Sequence, residues 1–231
     1  MEEENVNIVN MIILGVISWG LTFILIRITL KERSFEFCNR MVSTIHAFLA
    51  VGLATLSVQS WSCPICPLAS KASPAQARVL GITISYLIYD LICCLFDNKR
   101  FNVDNSIHHL VSIVGLGAGF YYQMCASEMV AALWITEVSS PFLHLREFLK
   151  ELGYRDTPLN FAADMSFAVI FSCGRMIGGP YLTHLALTAD NPLIMKAMAV
   201  GLQLVSVFWF YKIVRMVKYK LSNKNTHKKL G

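Results

Sequence analysis

His108 and His109 stand side by side at the start of a long apolar run, and Glu137, Ser140 and His144 follow at spacings of three and four residues. On a helix the last three lie along one stripe. Pro141, inside that set, has no N–H to give the carbonyl of Glu137, so a kink and a free backbone acceptor fall beside the Glu137 side chain. Ser112 comes one turn after His108. Imidazole titrates near neutrality, and beside a buried carboxylate that orients it, it serves as general acid, general base or nucleophile. His108, His109 and Glu137 are therefore the catalytic candidates. His46, Asp90, Asp164 and Arg175 are further ionisable residues within apolar runs, and each such residue costs ~2.5–3.5 kcal/mol on membrane-insertion scales. Taken singly, each has a plain structural reading, a pair locking two helices or a ring facing headgroups. As a set they exceed that need, since one bridging pair would suffice. The set predicts a polar intramembrane cavity lined by His46, Asp90, Ser112, Ser140, His144, Asp164 and Arg175.

No metal is expected from the histidines. The chain has six, without HxxxH or HxxHH spacing, and adjacent residues such as His108 and His109 point about 100° apart on a helix. His184 and His227 read as solvent-facing. Cys63-Pro-Ile-Cys66 reads as a small disulfide closing a loop in an oxidising compartment, with a redox or metal role as the alternative and no second pair to complete a zinc site. Cys93, Cys94, Cys125 and Cys173 read as packing residues.

The elements that must hold these residues are apolar. Of 231 residues 55% are apolar and 15% charged, against ~45–50% and ~25% in soluble domains, and the mean hydropathy is +0.52. That excludes a disordered chain, a disulfide scaffold and a nucleic-acid-binding module. Apolar runs at Ile8–Ile26, Met41–Ser70, Val79–Phe96, Leu110–Ser127, Met129–Leu145, Leu159–Tyr181 and Leu193–Val217 predict an all-α, polytopic membrane protein of about seven helices, at ~20 residues per crossing. The fourth and fifth join through a very short turn near Gln123–Ser127. The acidic leader Met1–Asn5 is unlike a signal peptide, so residues 1–34 read as a lumenal leader, a retained first helix and a linker. Residues 35–220 carry the other six helices, and 221–231 form a basic tail.

Orientation follows from the basic residues. Segments 27–40, 97–106, 146–157 and the tail from 212 hold sixteen Lys and Arg, while the opposite segments hold two, Lys71 and Arg78. This asymmetry places the amino terminus in the lumen and the carboxyl terminus in the cytosol. In that frame His46, Asp90, His108, His109, Glu137 and Asp164 fall in the cytosolic half of the membrane, and Arg175 is expected in the outer half. Lys228 and Lys229, fourth and third from the last residue, resemble a dilysine retrieval signal of the endoplasmic reticulum, read by coat proteins; a basic tail drawn to anionic lipid is the plainer reading.

Ile107-His108-His109-Leu110-Val111-Ser112, then Glu137-Val138-Ser139-Ser140-Pro141-Phe142, then Arg146 and Phe148, resemble the TLC domain of eukaryotic membrane proteins. Asn39–Ala47 is similar to that domain's opening, and Tyr89-Asp90-Leu91 to its third helix. The resemblance runs from about residue 35 to 220. It implies a helical barrel around a hydrophobic cavity that admits an acyl chain, and an endoplasmic-reticulum location. In Lag-type ceramide synthases the paired histidines and a downstream HDxSD element carry acyl transfer from acyl-CoA to a sphingoid amine. By that resemblance His108 would accept the acyl group. Thr136-Glu137-Val138-Ser139-Ser140 stands in place of HDxSD and keeps one acid, Glu137, which is nearer to other TLC-domain-containing proteins than to ceramide synthases. The function expected is lipid homeostasis in the endoplasmic reticulum, with membrane lipids or acyl chains as partners. No cofactor is expected; acyl-CoA would be the substrate of an N-acyltransferase. The alternative is a non-catalytic cargo receptor or trafficking adaptor that uses the Lys228-Lys229 tail. A seven-helix sugar carrier would need a three-helix repeat, and none is visible.

Overall fold

The computed structural model describes the backbone of residues 2–96 and 103–229, with side chains over 7–95 and 103–222. Helix is the one regular structure among the described residues. The order is α1 (Glu2–Thr29), α2 (Phe35–Leu56), α3 (Pro74–Phe96), α4 (Val103–Tyr122), α5 (Ala126–Glu137), α6 (Ser140–Glu151), α7 (Pro158–Phe171), a π-helical segment (Ser172–Gly178), α8 (Gly179–Thr188) and α9 (Leu193–Lys229). The side chains of Lys228, Lys229 and His227 lie outside the described residues.

Among the described residues, five stretches are long and apolar enough to cross a bilayer: Asn7–Thr29, Phe35–Leu56, Pro74–Leu95, Pro158–Thr188 and Leu193–Ser222. The chain is a multi-pass, all-helical membrane protein, and length and hydropathy do not reproduce the expected count of seven. Two segments account for the difference. α4 has 20 residues, about 30 Å at 1.5 Å per residue, but Asp104, Asn105 and the histidine pair dilute its apolar character. The run from Met129 to Leu145 was expected to be one kinked helix; it breaks at Val138 and Ser139 into α5 and α6, of 12 residues each. Pro141 sits in the first turn of α6, where its missing N–H costs nothing.

Two apolar cores hold the bundle. The larger gathers Trp19 of α1, Val42 and Ala50 of α2, Leu80 and Tyr86 of α3, Leu116 of α4 and Leu133 of α5. The smaller joins Phe167, Ala168 and Phe171 of α7 to Ile213 of α9. Outside them, Leu14, Leu21 and Leu25 of α1 and Leu204 of α9 are more than half exposed, as expected of surfaces that face lipid. Lipid tails are as apolar as leucine, so close packing rather than water exclusion must hold such helices together. α1 meets α3 through glycine: a Cβ on Gly15 would stand 2.6 Å from the Ser85 Cβ, and one on Gly81 would collide with the tip of Met11.

Gly15→Ala is therefore expected to lower stability by ~1–3 kcal/mol through overpacking, and Ser85→Gly in the same chain should restore most of the loss. Thermal denaturation of the detergent-purified protein measures both. Purely additive effects of the two changes would refute this account of the α1–α3 contact.

Candidate functional site

The ionisable residues enter the bundle from several elements. α3 and α4 pack side by side and bring Asp90 and His109 together, with His109 Nε2 at 2.8 Å from Asp90 Oδ2. The other Asp90 oxygen, Oδ1, accepts from Asn39 Nδ2 at 2.6 Å. Asn39 Oδ1 in turn accepts from the Tyr89 hydroxyl at 2.7 Å. Asp90 is therefore bound on both sides, although it is only 5% exposed. Its neighbour on α4, His108, is also buried; its ring lies 5.6 Å from that of His109 and 4.9 Å from Trp209 of α9.

The break between α5 and α6 supplies the second half of the site. Glu137 closes α5, and Ser140 opens α6 three residues on. Arg175 comes from the π segment, and its Nη2 donates to the Thr136 carbonyl at 2.8 Å. The guanidinium lies over the rings of Phe171 and Trp209, 5.0 and 5.4 Å from their centroids, a cation–π setting that offsets part of its burial. Its Nε and Nη1, and Nδ1 of His108 and of His144, have no hydrogen-bond partner among the described residues. These are unmatched buried polar atoms on residues that border open space within the bundle.

That space consists of two chambers. One, of about 400 Å³, lies between the two apolar cores and is lined by Asp90, His108, His109, Glu137, Ser140, His144 and Arg175, with Glu36, Arg40, Asp104, Arg146 and Lys212 also on its wall. Asp104 and Lys212 pair across it. The other, of about 140 Å³, is mostly apolar; Leu116, Met129, Leu133, Leu182, Met198 and Leu202 line it, together with Ser112. Leu87, His108, Glu137 and Arg175 belong to both walls. A base, an acid and a guanidinium therefore stand where a polar space meets an apolar one.

Arg175 lines the cavity as the sequence predicted, its guanidinium reaching the Thr136 carbonyl at the α5–α6 break beside Glu137. Two expectations need correction. His46 lines neither chamber: it is fully buried, stacked on Tyr86 at 3.8 Å and edge-on to Trp19, within the contact of α1, α2 and α3. Asp164 also lines neither chamber. It is held by Arg146 Nε at 2.6 Å and Lys220 Nζ at 3.3 Å, and ties α7 to α6 and α9. Cys63 and Cys66 are bonded to each other in the loop between α2 and α3.

Sequence reasoning passed over Glu128. It lies in the first turn of α5, the ordinary place for an acid, yet it is 4% exposed and reaches the wall of the apolar chamber. Its Oε1 accepts from Ala69 N at 2.7 Å and Asn191 Nδ2 at 3.3 Å, drawing two loops over that end of the chamber. Asn39 and Asn105 were also missed as polar partners; neither residue type signals a site without the fold.

A family model described as the TLC domain matches residues 36–215. TLC domain-containing protein 4 C of Dictyostelium discoideum is 29% identical over 67% of this chain and 57% of its own length. TLC domain-containing protein 4-B of Danio rerio is 28% identical over 77% of this chain and 72% of its own. A putative TLC domain-containing protein, L438, of Acanthamoeba polyphaga mimivirus is 22% identical over 62% and 74%. The chain thus spans little more than half of the Dictyostelium protein.

Asp164→Ala is expected to destabilise the protein by about 3–5 kcal/mol, because it leaves Arg146 and Lys220 without their buried counter-charge. His46→Phe, which keeps a flat ring against Tyr86, should cost less than half as much. Denaturation in detergent compares the two, and the reverse ranking would place Asp164 outside the supporting framework.

Proposed function

This chain belongs to the TLC-domain family, and on that premise we propose that it acts in lipid homeostasis in the endoplasmic-reticulum membrane by binding an acyl lipid across the junction of its two chambers. The family is linked to lipid metabolism and sensing. The observation that carries the finer reading is the position of His108, Glu137 and Arg175 on the wall common to both spaces. An acyl chain in the apolar chamber would bring its carbonyl to these three residues. The unpartnered Nε and Nη1 of Arg175 supply donors for an ester, amide or thioester oxygen, and Glu137 can accept from a hydroxyl or amine. The polar chamber would take the headgroup or the carrier of the acyl chain.

Orientation supports a cytosolic supply. The polar chamber carries Arg40, Arg146 and Lys212 on its wall, so the positive-inside rule turns it toward the cytosol, where acyl-CoA is available. The disulfide loop then faces the lumen, whose oxidising conditions suit it. Should acyl transfer occur, His108 is placed to attack the thioester carbonyl; the acyl–sulfur bond would break as the acyl–nitrogen bond forms, and the proton would leave with the thiol. Asp90 and His109 would serve as a positioning pair behind it.

Native mass spectrometry of the detergent-extracted protein provides the test. The expected result is a co-purifying acyl lipid that is lost in Ala132→Phe, which fills the apolar chamber, and depleted in Glu137→Gln with His108→Ala. Both variants should stay folded. An acyl adduct mapped to His108 would extend the reading to acyl-CoA-dependent N-acyl transfer. Equal lipid retention by the wild type and both variants, or no lipid in any of them, would overturn the proposal.

A further inference from the structure

The cytosolic ends of α3 and α4 bring together three donors that the reading of the histidines alone left apart. Asp90 and Cys94 lie one turn apart on the same face of α3, and His109 faces them from α4; one atom from each, a carboxylate oxygen, Sγ and a ring nitrogen, all lie within 4.8 Å of one another. All three residues line the polar chamber. We propose that Asp90, Cys94 and His109 form a binding site for a thiophilic divalent cation, zinc by the chemistry of its donors, with the fourth position open to that chamber.

The surroundings are those of a built site. Asn39 Nδ2 occupies Asp90 Oδ1 at 2.6 Å, and the Tyr89 hydroxyl fixes Asn39, so the carboxylate is oriented with Oδ2 toward His109. The Asn39 contact is of the kind that aims a metal ligand. Asn105 Nδ2 lies 2.9 Å from His109 Nε2 and 3.5 Å from Cys94 Sγ, the atoms that would ligate, so a bound cation takes the place of this amide on both. A bare Asp90–His109 pair would be enough to lock α3 to α4; it needs neither the sulfur nor the amide. Zinc–ligand bonds of about 2.0–2.3 Å require only that Oδ2 and Nε2 spread slightly from their present 2.8 Å.

Charge is consistent with the same conclusion. A carboxylate at 5% exposure needs a counter-charge, which His109 supplies when protonated and which a bound dication would also supply. A dication with the Asp90 carboxylate, the Cys94 thiolate and a neutral His109 makes a site of zero net charge. Calcium and magnesium prefer more oxygen ligands and no sulfur. On binding, Cys94 releases its thiol proton, and His109 any proton it carries, to water in the chamber. Bound metal would fix His109, and with it the adjacent His108. The inference does not rest on the acyl-lipid reading, because metal content and lipid retention are measured separately.

The test uses the full chain in detergent, stripped with a chelator and then titrated with zinc against a chromophoric competitor, and in parallel with cobalt(II). One equivalent of zinc per chain is expected, with a thiolate-to-cobalt charge-transfer band and a tetrahedral visible spectrum. Cys94→Ser should abolish the band, Asp90→Asn should weaken binding at least as much as Asn39→Ala, and Asn39→Ala should weaken it roughly 10–100-fold. Cys173→Ser, at an exposed free cysteine, should keep both the stoichiometry and the band. Circular dichroism of each variant separates lost binding from lost folding. Absence of a thiolate band in the folded wild type, or zinc affinity unchanged in Cys94→Ser, would overturn the site.

Discussion

An ionisable group inside a lipid-embedded bundle must find its compensation within the protein, and this constraint governs the arrangement of the whole chain. A solitary charge costs ~2.5–3.5 kcal/mol on insertion scales, a large fraction of the ~5–15 kcal/mol that keeps a domain folded. Four buried ionisable residues are each met differently. Asp90 has His109 and Asn39; Asp164 has Arg146 and Lys220; Arg175 has a carbonyl oxygen and two aromatic faces; Glu128 has a backbone amide and Asn191. Every one of these arrangements joins separate elements or bridges the break between α5 and α6. Charge compensation and helix assembly are the same set of contacts.

The two departures from regular α-helix follow from that demand. A continuous helix from Met129 to Leu145 would use its own carbonyls internally; the break at Val138 and Ser139 frees acceptors at the end of α5, and Arg175 takes the one at Thr136. The π segment makes the approach possible. Gly174 lies so near α5 that a Cβ there would stand 3.1 Å from the Ile135 carbonyl oxygen, so any larger residue would push the guanidinium away from its acceptor. Gln203 Nε2 donates to the Arg175 carbonyl at 3.2 Å, meeting a backbone group that the wider turn leaves open. π turns occur often at functional sites, and here the turn delivers the residue that stands between the chambers.

The sequence made the membrane class, the helical architecture and the family visible because each is written in residue runs many positions long. Apolar stretches announce spans whatever the fold does later. The Ile107–Ser112 and Glu137–Phe142 patterns are local and keep their spacing on any backbone. What escaped was set by contacts between distant residues. His46 and Asp164 have the same sequence character as Asp90, a lone ionisable group in an apolar run, but Tyr86 stacks on one and Arg146 pairs with the other. The meeting of Arg175 with the α5–α6 break was not legible because ordinary helical counting cannot foresee a π turn. Glu128 looked like an ordinary acid in a first helical turn until the loops at Ala69 and Asn191 closed over it.

The polarity of the cavity fixes the direction in which an amphiphile can lie in it. Glu128 and Glu137 sit at opposite ends of α5, about 14 Å apart along its axis, and the loops tied to Glu128 close one end of the apolar chamber while the other end opens on His108, Glu137 and Arg175. A chain lying between them would point toward Glu128, with its polar end in the larger chamber. Moving an acyl chain from the bilayer into such a space gains little, because lipid and chamber wall are equally apolar. Selective retention must therefore come from the few polar groups at the junction, where hydrogen bonds in a low-dielectric setting are strong and unmet partners are costly. In the proposed reading, the volume of the apolar chamber would limit which chains fit, and His108, Glu137 and Arg175 would decide which of those are held.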